Sequence, residues 1–207
     1  GTIGWIPVTI SRTGYTGDLG YEIWMPAESA LDVWDTLMRA GAPFDIKPVG
    51  MLALDVSRVE AGLLLIDVDF NSSRKALIES QKYSPFEMGL GRLVNLDKAP
   101  FVGRTALVDE ERGGPARMVV GLQIDWSEVE ALYDRFGLAP VAPAAASRVA
   151  VPVMHQGQQV GRATTTAWSP TLKRLIALAT VDAPFFAIGT RLQVGMTVEA
   201  TRHYVSA

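Results

Sequence analysis

From Arg148 to the end, the chain carries strand signals and nothing else. VAVPVM, a turn at HQGQ, then QVGRATTTAW, RLIALATV and RLQVGMTVEATRHYV follow one another with turn residues between them. Short strands so spaced, with no helical period among them, close into a small β-barrel or a sandwich. That run leaves little freedom for what precedes it. MVVGLQI is a further strand. SEVEALYDRFG reads as a helix with Val129, Leu132, Tyr133 and Phe136 as its apolar stripe. Ser127 and Glu130 have capping-box spacing at its start, and Gly137 ends it. The Pro/Ala-rich stretch APVAPAAAS is a linker candidate.

The earlier part mixes the two periods. Trp5 to Ile10 and Gly20 to Met25 read as strands on either side of a glycine-rich turn. Ala30, Val33, Trp34, Leu37 and Met38 recur at helical spacing until Gly41. In MLALDVSRVEAG a second helix places Leu52, Val56 and Val59 on one face, with Asp55 and Arg58 able to pair on the surface and Gly62 as the stop. LLLIDVDF is expected as a short buried strand, SSRKALIESQ as a short helix and GLGRLVNL as another strand. The fold class that follows is α+β: an α/β portion over residues 1–115 and a small C-terminal β-barrel over 116–207. No internal repeat is visible.

Composition narrows the chemistry. Of 207 residues 48% are hydrophobic, enough for a real core. The net charge of −3, without charge blocks, gives no footprint for nucleic acid. The absence of cysteine removes disulfides, thiolate nucleophiles and Cys-based metal sites. His155 and His203 have no second metal-type ligand at a useful spacing, so no metal is expected. No apolar run approaches the roughly 20 residues of a membrane span, and no signal segment is visible, which makes a cytoplasmic protein the default reading. The start at Gly1, without methionine and close to a strand, reads as that of a fragment.

The stretch GYTGDLGYEIWMP carries the candidate site. A carboxylate can accept from two adjacent N–H groups of a heterocycle, and reduced pterins present such an edge at N3 and the 2-amino group. Glu22 suits that task. In a strand, residues 22 and 24 share a face while Tyr21 points away, so Trp24 is the aromatic neighbour. The alternative is that Glu22 is a solvated strand residue and the aromatics are ordinary sheet packing.

GYTGDLGYEIWMP, VGMLALDVSRVEAGLLL, SPFEMGLGRLV with DKAPFVGRTAL, and GRATTTAWSPTLKRLIALATV together resemble the glycine-cleavage T-protein (aminomethyltransferase) family, in family order and over nearly the whole chain. The resemblance implies a tetrahydrofolate-binding protein of three domains in a ring, the last a small β-barrel, with folate in the central opening. It makes residues 1–115 the later part of the folate-binding region. It assigns folate binding to Tyr15 and Glu22, with Trp24 beside them, and puts the Ser169 to Lys173 loop near the folate opening. Two positions depart from the family pattern: Leu54 stands where an arginine of the aminomethyl-transfer site is usual, and Ile66 where a tyrosine is usual. Arg58 and Glu60 match the block, as ligands or as a structural pair.

GYTGDLGYEIW, SSRKALIESQKYSPFEMGLGRLV and the extra helix SEVEALYDRFGLAP are similar to the tetrahydrofolate-dependent aryl O-demethylases. That branch implies a small-molecule methyl donor, a methoxylated aromatic acid such as vanillate or syringate. Methyl transfer to N5 of tetrahydrofolate expels a phenolate, which needs alignment and a proton. Tyr15 is the candidate acid, or else it packs against or hydrogen-bonds the folate. The alternatives are an aminomethyltransferase working with a lipoyl carrier protein, and the folate-binding module of a sarcosine or dimethylglycine dehydrogenase. Folate-binding proteins that assist iron–sulfur assembly carry a signature cysteine that this chain lacks.

Overall fold

The computed structural model describes residues 1–207, which divide into two compact units, Gly1–Leu63 and Leu64–Ala207.

In the first unit the strand expected over Trp5 to Ile10 is broken. β1 (Thr2–Ile3) and β2 (Ile6–Pro7) form a minimal hairpin, and β3 (Thr9–Ser11) starts a separate antiparallel pair with β4 (Glu22–Trp24). Pro7 has no N–H to give a continuing ladder. Val8, buried, bonds instead to Gly1 O through its N–H at 2.9 Å. A 3₁₀ turn at Ala27–Ser29 leads into α1 (Ala30–Gly41), whose Val33 is buried. Trp34, assigned to the same stripe, is half exposed. α2 (Met51–Glu60) buries Val59 together with the Asp55–Arg58 pair.

That pair was expected on the surface. Arg58 is fully buried, with Nε donating to Asp55 Oδ1 at 2.7 Å and Nη1 donating to Leu63 O at 3.2 Å. The helix end explains this position. After Gly62, at φ +70°, the chain folds back and Leu63 N bonds to Arg58 O at 2.8 Å, so guanidinium and backbone close the C-terminus together. Arg58 is thus a structural residue of α2.

The second unit is built on a six-stranded antiparallel sheet. Its strands are β5 (Arg117–Ile124), β6 (Val151–His155), β7 (Gln158–Ser169), β8 (Arg174–Asp182), β9 (Gln193–Val198) and β10 (Thr201–Ser206), in the order β10-β9-β6-β7-β8-β5. The long C-terminal run of strand signals is therefore read correctly, except that RLQVGMTVEATRHYV is a hairpin of two strands. Glu199 and Ala200 turn it with φ of 48° and 59°, the pair of positive values that a two-residue hairpin loop matched to strand twist requires. The edges approach each other at one corner, where Asp125 N donates to Ser206 O at 2.8 Å. The sheet is barrel-like. Leu122, Val153, Ala163, Ala179, Val181 and Val194 are among its buried core.

α4 (Trp126–Asp134) packs Val129 and Leu132 into that core. Its cap is not the expected Ser127. Asp125 accepts from Ser127 N at 2.9 Å and Glu128 N at 3.3 Å, so the cap lies two residues earlier and Ser127 lies in the first turn of the helix. An aspartate directly before Trp126 outcompetes a serine that is already helical.

Between Leu64 and β5 the sequence reading fails. LLLIDVDF forms no strand beyond a single bridge between Ile66 and Phe70, SSRKALIESQ gives turns and one 3₁₀ turn at Glu79–Gln81, and GLGRLVNL holds a 3₁₀ turn at Gly91–Leu93. α3 (Arg104–Gly113) is the one regular helix there. By contacts this segment belongs with the sheet, whereas the sequence reading grouped residues up to 115 with the preceding portion. Side chains replace the missing ladder. Asp69 Oδ1 accepts from Thr164 Oγ1 at 2.6 Å and Thr165 Oγ1 at 2.7 Å, and Oδ2 accepts from Leu65 N at 2.8 Å. Adjacent strand residues normally point to opposite faces; the register shift between Ala163 and Thr165 is what lets both hydroxyls reach one carboxylate. Further along, Arg117 lies over the Tyr83 ring at 4.1 Å, donates to Glu87 Oε1 at 3.0 Å and donates to Ser80 O at 2.7 Å.

Replacing Asp69 with Ala leaves two buried hydroxyls and a backbone N–H without that acceptor. The expected loss is about 3 kcal/mol, read as a lower urea midpoint with unchanged slope, and Asp69→Asn should lose less.

Candidate functional site

The glycine-rich stretch folds as a loop with a closed neck. A Cβ on Gly14 would lie 3.1 Å from Gly20 Cα, and one on Gly20 would lie 3.0 Å from Gly14 Cα. At either position a side chain is a tight fit, and the facing glycine backbone must give by a few tenths of an ångström. At the loop's far side Gly17, at φ +87°, faces α2, and a Cβ there would meet that of Ala61 at 2.6 Å. Two of the three glycines thus pinch the loop shut and the third lets it seat on the end of a helix.

The neck sets the candidate residues on its two rims. Tyr15 follows Gly14 directly and is half-buried, while Glu22 opens β4 two residues after Gly20. Along β4 the alternation holds: Glu22 and Trp24 are exposed and Ile23 turns inward, so carboxylate and indole share one face. Tyr21, expected to face away, is also exposed. The pairing register adds two residues that the sequence reading missed. Ser11 lies opposite Glu22 and Thr9 opposite Trp24, and Ser11 Oγ is 2.8 Å from Thr13 Oγ1. Strand alternation and a pairing register counted back from the turn were the signals that could have found them.

The remaining singled-out residues lie elsewhere. Leu54 is half-buried in α2; Ile66 is half exposed at the isolated bridge of the second unit. Glu60 ends α2. The SPTLK segment turns from β7 to β8, with Leu172 N donating to Ser169 Oγ at 2.9 Å and Lys173 at φ +54°. His155 stacks on Phe185, and His203 packs edge-on to Phe136.

The second unit also holds a cavity of about 710 Å³ lined by Trp126, Lys173, Arg174 and Arg191, with Asp125 and Glu128 at its rim. Its carboxylates are committed: Asp125 caps α4, and Glu128 accepts from both the N–H and the hydroxyl of Ser206 at 2.7 Å. It offers no free carboxylate to a pair of ring N–H groups. Glu22 does, on an open face beside an indole. No helix is long and apolar enough to cross a membrane.

Two family profiles match this chain. One, the GCVT N-terminal domain, covers residues 1–98, and the other, the glycine cleavage T-protein C-terminal barrel domain, covers residues 134–205. This chain matches both domains of the glycine cleavage T-protein family. Among its relatives, the trimethylamine-oxide aldolase of Ruegeria pomeroyi is 38% identical over 92% of this chain and 21% of that protein. The aminomethyltransferase of Caldanaerobacter subterraneus subsp. tengcongensis is 33% identical over 93% of this chain and 44% of that protein. The T-protein fold is seen in the aminomethyltransferase T of the Bartonella henselae glycine cleavage system, with a TM-score of 0.71 at 23% identity, covering 95% of this chain and 47% of that one. The chain therefore spans less than half the length of these relatives. They bear out the T-protein family named from the sequence, and the names they carry do not single out the O-demethylase branch.

Two glycines separate backbone strain from close packing. Gly4 has φ +58° with nothing within 4 Å of its added Cβ, whereas Gly17 combines positive φ with the Ala61 contact. Gly4→Ala should cost about 1 kcal/mol and Gly17→Ala clearly more, with faster amide exchange across residues 12–22 only in the second variant.

Proposed function

We propose that this chain is the reduced-folate-binding portion of a tetrahydrofolate-dependent one-carbon transferase. The observation that carries the reading is the exposed face of β4, where Glu22 offers two carboxylate oxygens to the N3 and 2-amino donors of the pterin and Trp24 offers an indole surface beside them. Tyr15, on the opposite rim of the Gly14–Gly20 neck, supplies a phenol next to the same ligand. In this reading the folate N5 accepts the carbon, and these residues hold and orient the ring. In this reading the folate-binding region runs over residues 1–115 and the barrel domain over 116–207.

For the donor, an amine-borne carbon has the stronger support. Relatives named aminomethyltransferase align over more than nine-tenths of the chain, and so does one named trimethylamine-oxide aldolase. The chain makes up only a small part of the latter, which supports the reading as a folate module of a longer amine-processing enzyme. In the aminomethyltransferase form the partner is a lipoyl carrier protein. The second reading is an O-demethylase acting on a methoxylated aromatic acid, favoured by the apolar Leu54 and Ile66 at positions where the transferase pattern is polar. There the methyl group passes from the ether oxygen to N5, the C–O electron pair leaves with the oxygen as phenolate, Tyr15 gives that oxygen its proton, and the proton that N5 sheds on methylation returns to Tyr15 through solvent.

Glu22→Ala in the intact protein should weaken tetrahydrofolate binding by about 1–3 kcal/mol in calorimetry; unchanged affinity would remove the site. The donor is decided by incubating intact protein and tetrahydrofolate separately with vanillate, syringate, dimethylglycine, trimethylamine N-oxide and aminomethyl-lipoyl carrier, then identifying the folate by mass. Methylenetetrahydrofolate from an amine donor is the expected product; 5-methyltetrahydrofolate from an aryl ether establishes the second reading. If Tyr15 is the acid there, Tyr15→Phe lowers turnover about 100-fold or more with little change in folate affinity.

A further inference from the structure

Glu22 answers only half of the edge it is proposed to read. Beside the two adjacent N–H donors that a carboxylate accepts, a pterin presents its 4-oxo oxygen, an acceptor in line with them. Burying that oxygen against the protein without a donor carries a desolvation penalty. The face around Glu22 must therefore supply an N–H or O–H next to the carboxylate.

We propose that the Ser11 hydroxyl is this donor, a second binding contact on the same face that takes the pterin 4-oxo group. The inference rests on the folate reading given above. The β3–β4 register pairs Ser11 directly with Glu22, which puts both side chains on one face with Cβ atoms about 4.5–5.5 Å apart. Thr9 also lies on this face, but opposite Trp24, one pair further along. Ser11 is thus the hydroxyl next to the carboxylate. It is half-buried as a residue, and its hydroxyl sits in an exposed pair with Thr13, open to the edge of a flat ring.

Thr13 is the partner of that hydroxyl. Its Oγ1 lies 2.8 Å from Ser11 Oγ, and in such a pair one hydroxyl gives its proton to the other. With Thr13 as donor the Ser11 proton is left for a ligand, and the Ser11 oxygen is polarised toward giving it. The spacing between carboxylate and hydroxyl is fixed by the ladder between two strands, not by a loop. That is the rigidity a site needs to read three adjacent atoms of one ring edge.

The test is calorimetry of the intact protein with 5-formyltetrahydrofolate, a stable reduced folate that retains the 4-oxo group. Affinity is measured for Ser11→Ala, Ser11→Thr, Glu22→Ala and the double variant Ser11→Ala/Glu22→Ala, with a thermal midpoint for each. Ser11→Ala should weaken binding about threefold to tenfold at an unchanged thermal midpoint, and Ser11→Thr should restore it. The double variant should lose less than the product of the two single losses, because both residues hold one edge of one ring. Wild-type affinity in Ser11→Ala, while Glu22→Ala binds weakly, overturns the Ser11 assignment and leaves the folate reading standing. A weakened Ser11→Ala that Ser11→Thr does not rescue, with a lowered thermal midpoint, also overturns it and makes Ser11 a structural residue. Wild-type affinity in Glu22→Ala overturns the folate reading and this inference with it.

Discussion

The second unit depends on one carboxylate. Asp69 is almost wholly buried, and it binds two threonine hydroxyls of β7 through one oxygen and a backbone N–H of its own segment through the other. Those bonds do what a β-ladder does elsewhere: they hold a stretch without regular structure against a sheet. The geometry works only because β7 is bulged, which brings Thr164 and Thr165 round to the same side. The irregularity in the sheet and the irregular segment beside it therefore account for each other. Thr164 also donates to Leu178 O at 3.2 Å, which ties the arrangement into β8.

A different economy operates in Gly1–Leu63. Its buried hydrophobics include Val8, Val33 and Val59, while Trp5, Trp34, Phe44, Met51 and Leu52 all stand exposed. Little of the hydrophobic effect is available to so small a core, and the unit leans on directional contacts. The Arg58 guanidinium closes the end of α2 against Asp55 and Leu63 O, and the glycine loop seats on Ala61 of the same helix end. Glu22 and Trp24 belong to a two-stranded ribbon whose position is set by those polar and steric contacts.

These two mechanisms decide what could be read in advance. The barrel strands were legible because alternation and turn residues are local signals, and burial of one face enforces them. Asp125 was overlooked as a cap because a serine with the right spacing stood two positions on. LLLIDVDF was misread because a short apolar run says nothing of whether a partner strand is at hand, and here Asp69 provides a side-chain anchor instead. The candidate residues were legible as types. The opposition of Ser11 to Glu22 was missed, since it appears only when the pairing register is counted back from the turn.

That neck has a consequence for how such a site can diversify. Where Gly14 and Gly20 touch, the chain enters and leaves the loop at a single point, and the strands on either side are paired by their own ladder. Side chains at Thr16, Asp18 and Leu19 can change while the β3–β4 register stays as it is, so long as both pinching glycines and the one seated on Ala61 are kept. The strand pair and the tip of the loop are separated by the neck. A change of sequence at the tip can thus leave the face that carries Glu22 and Trp24 as it is.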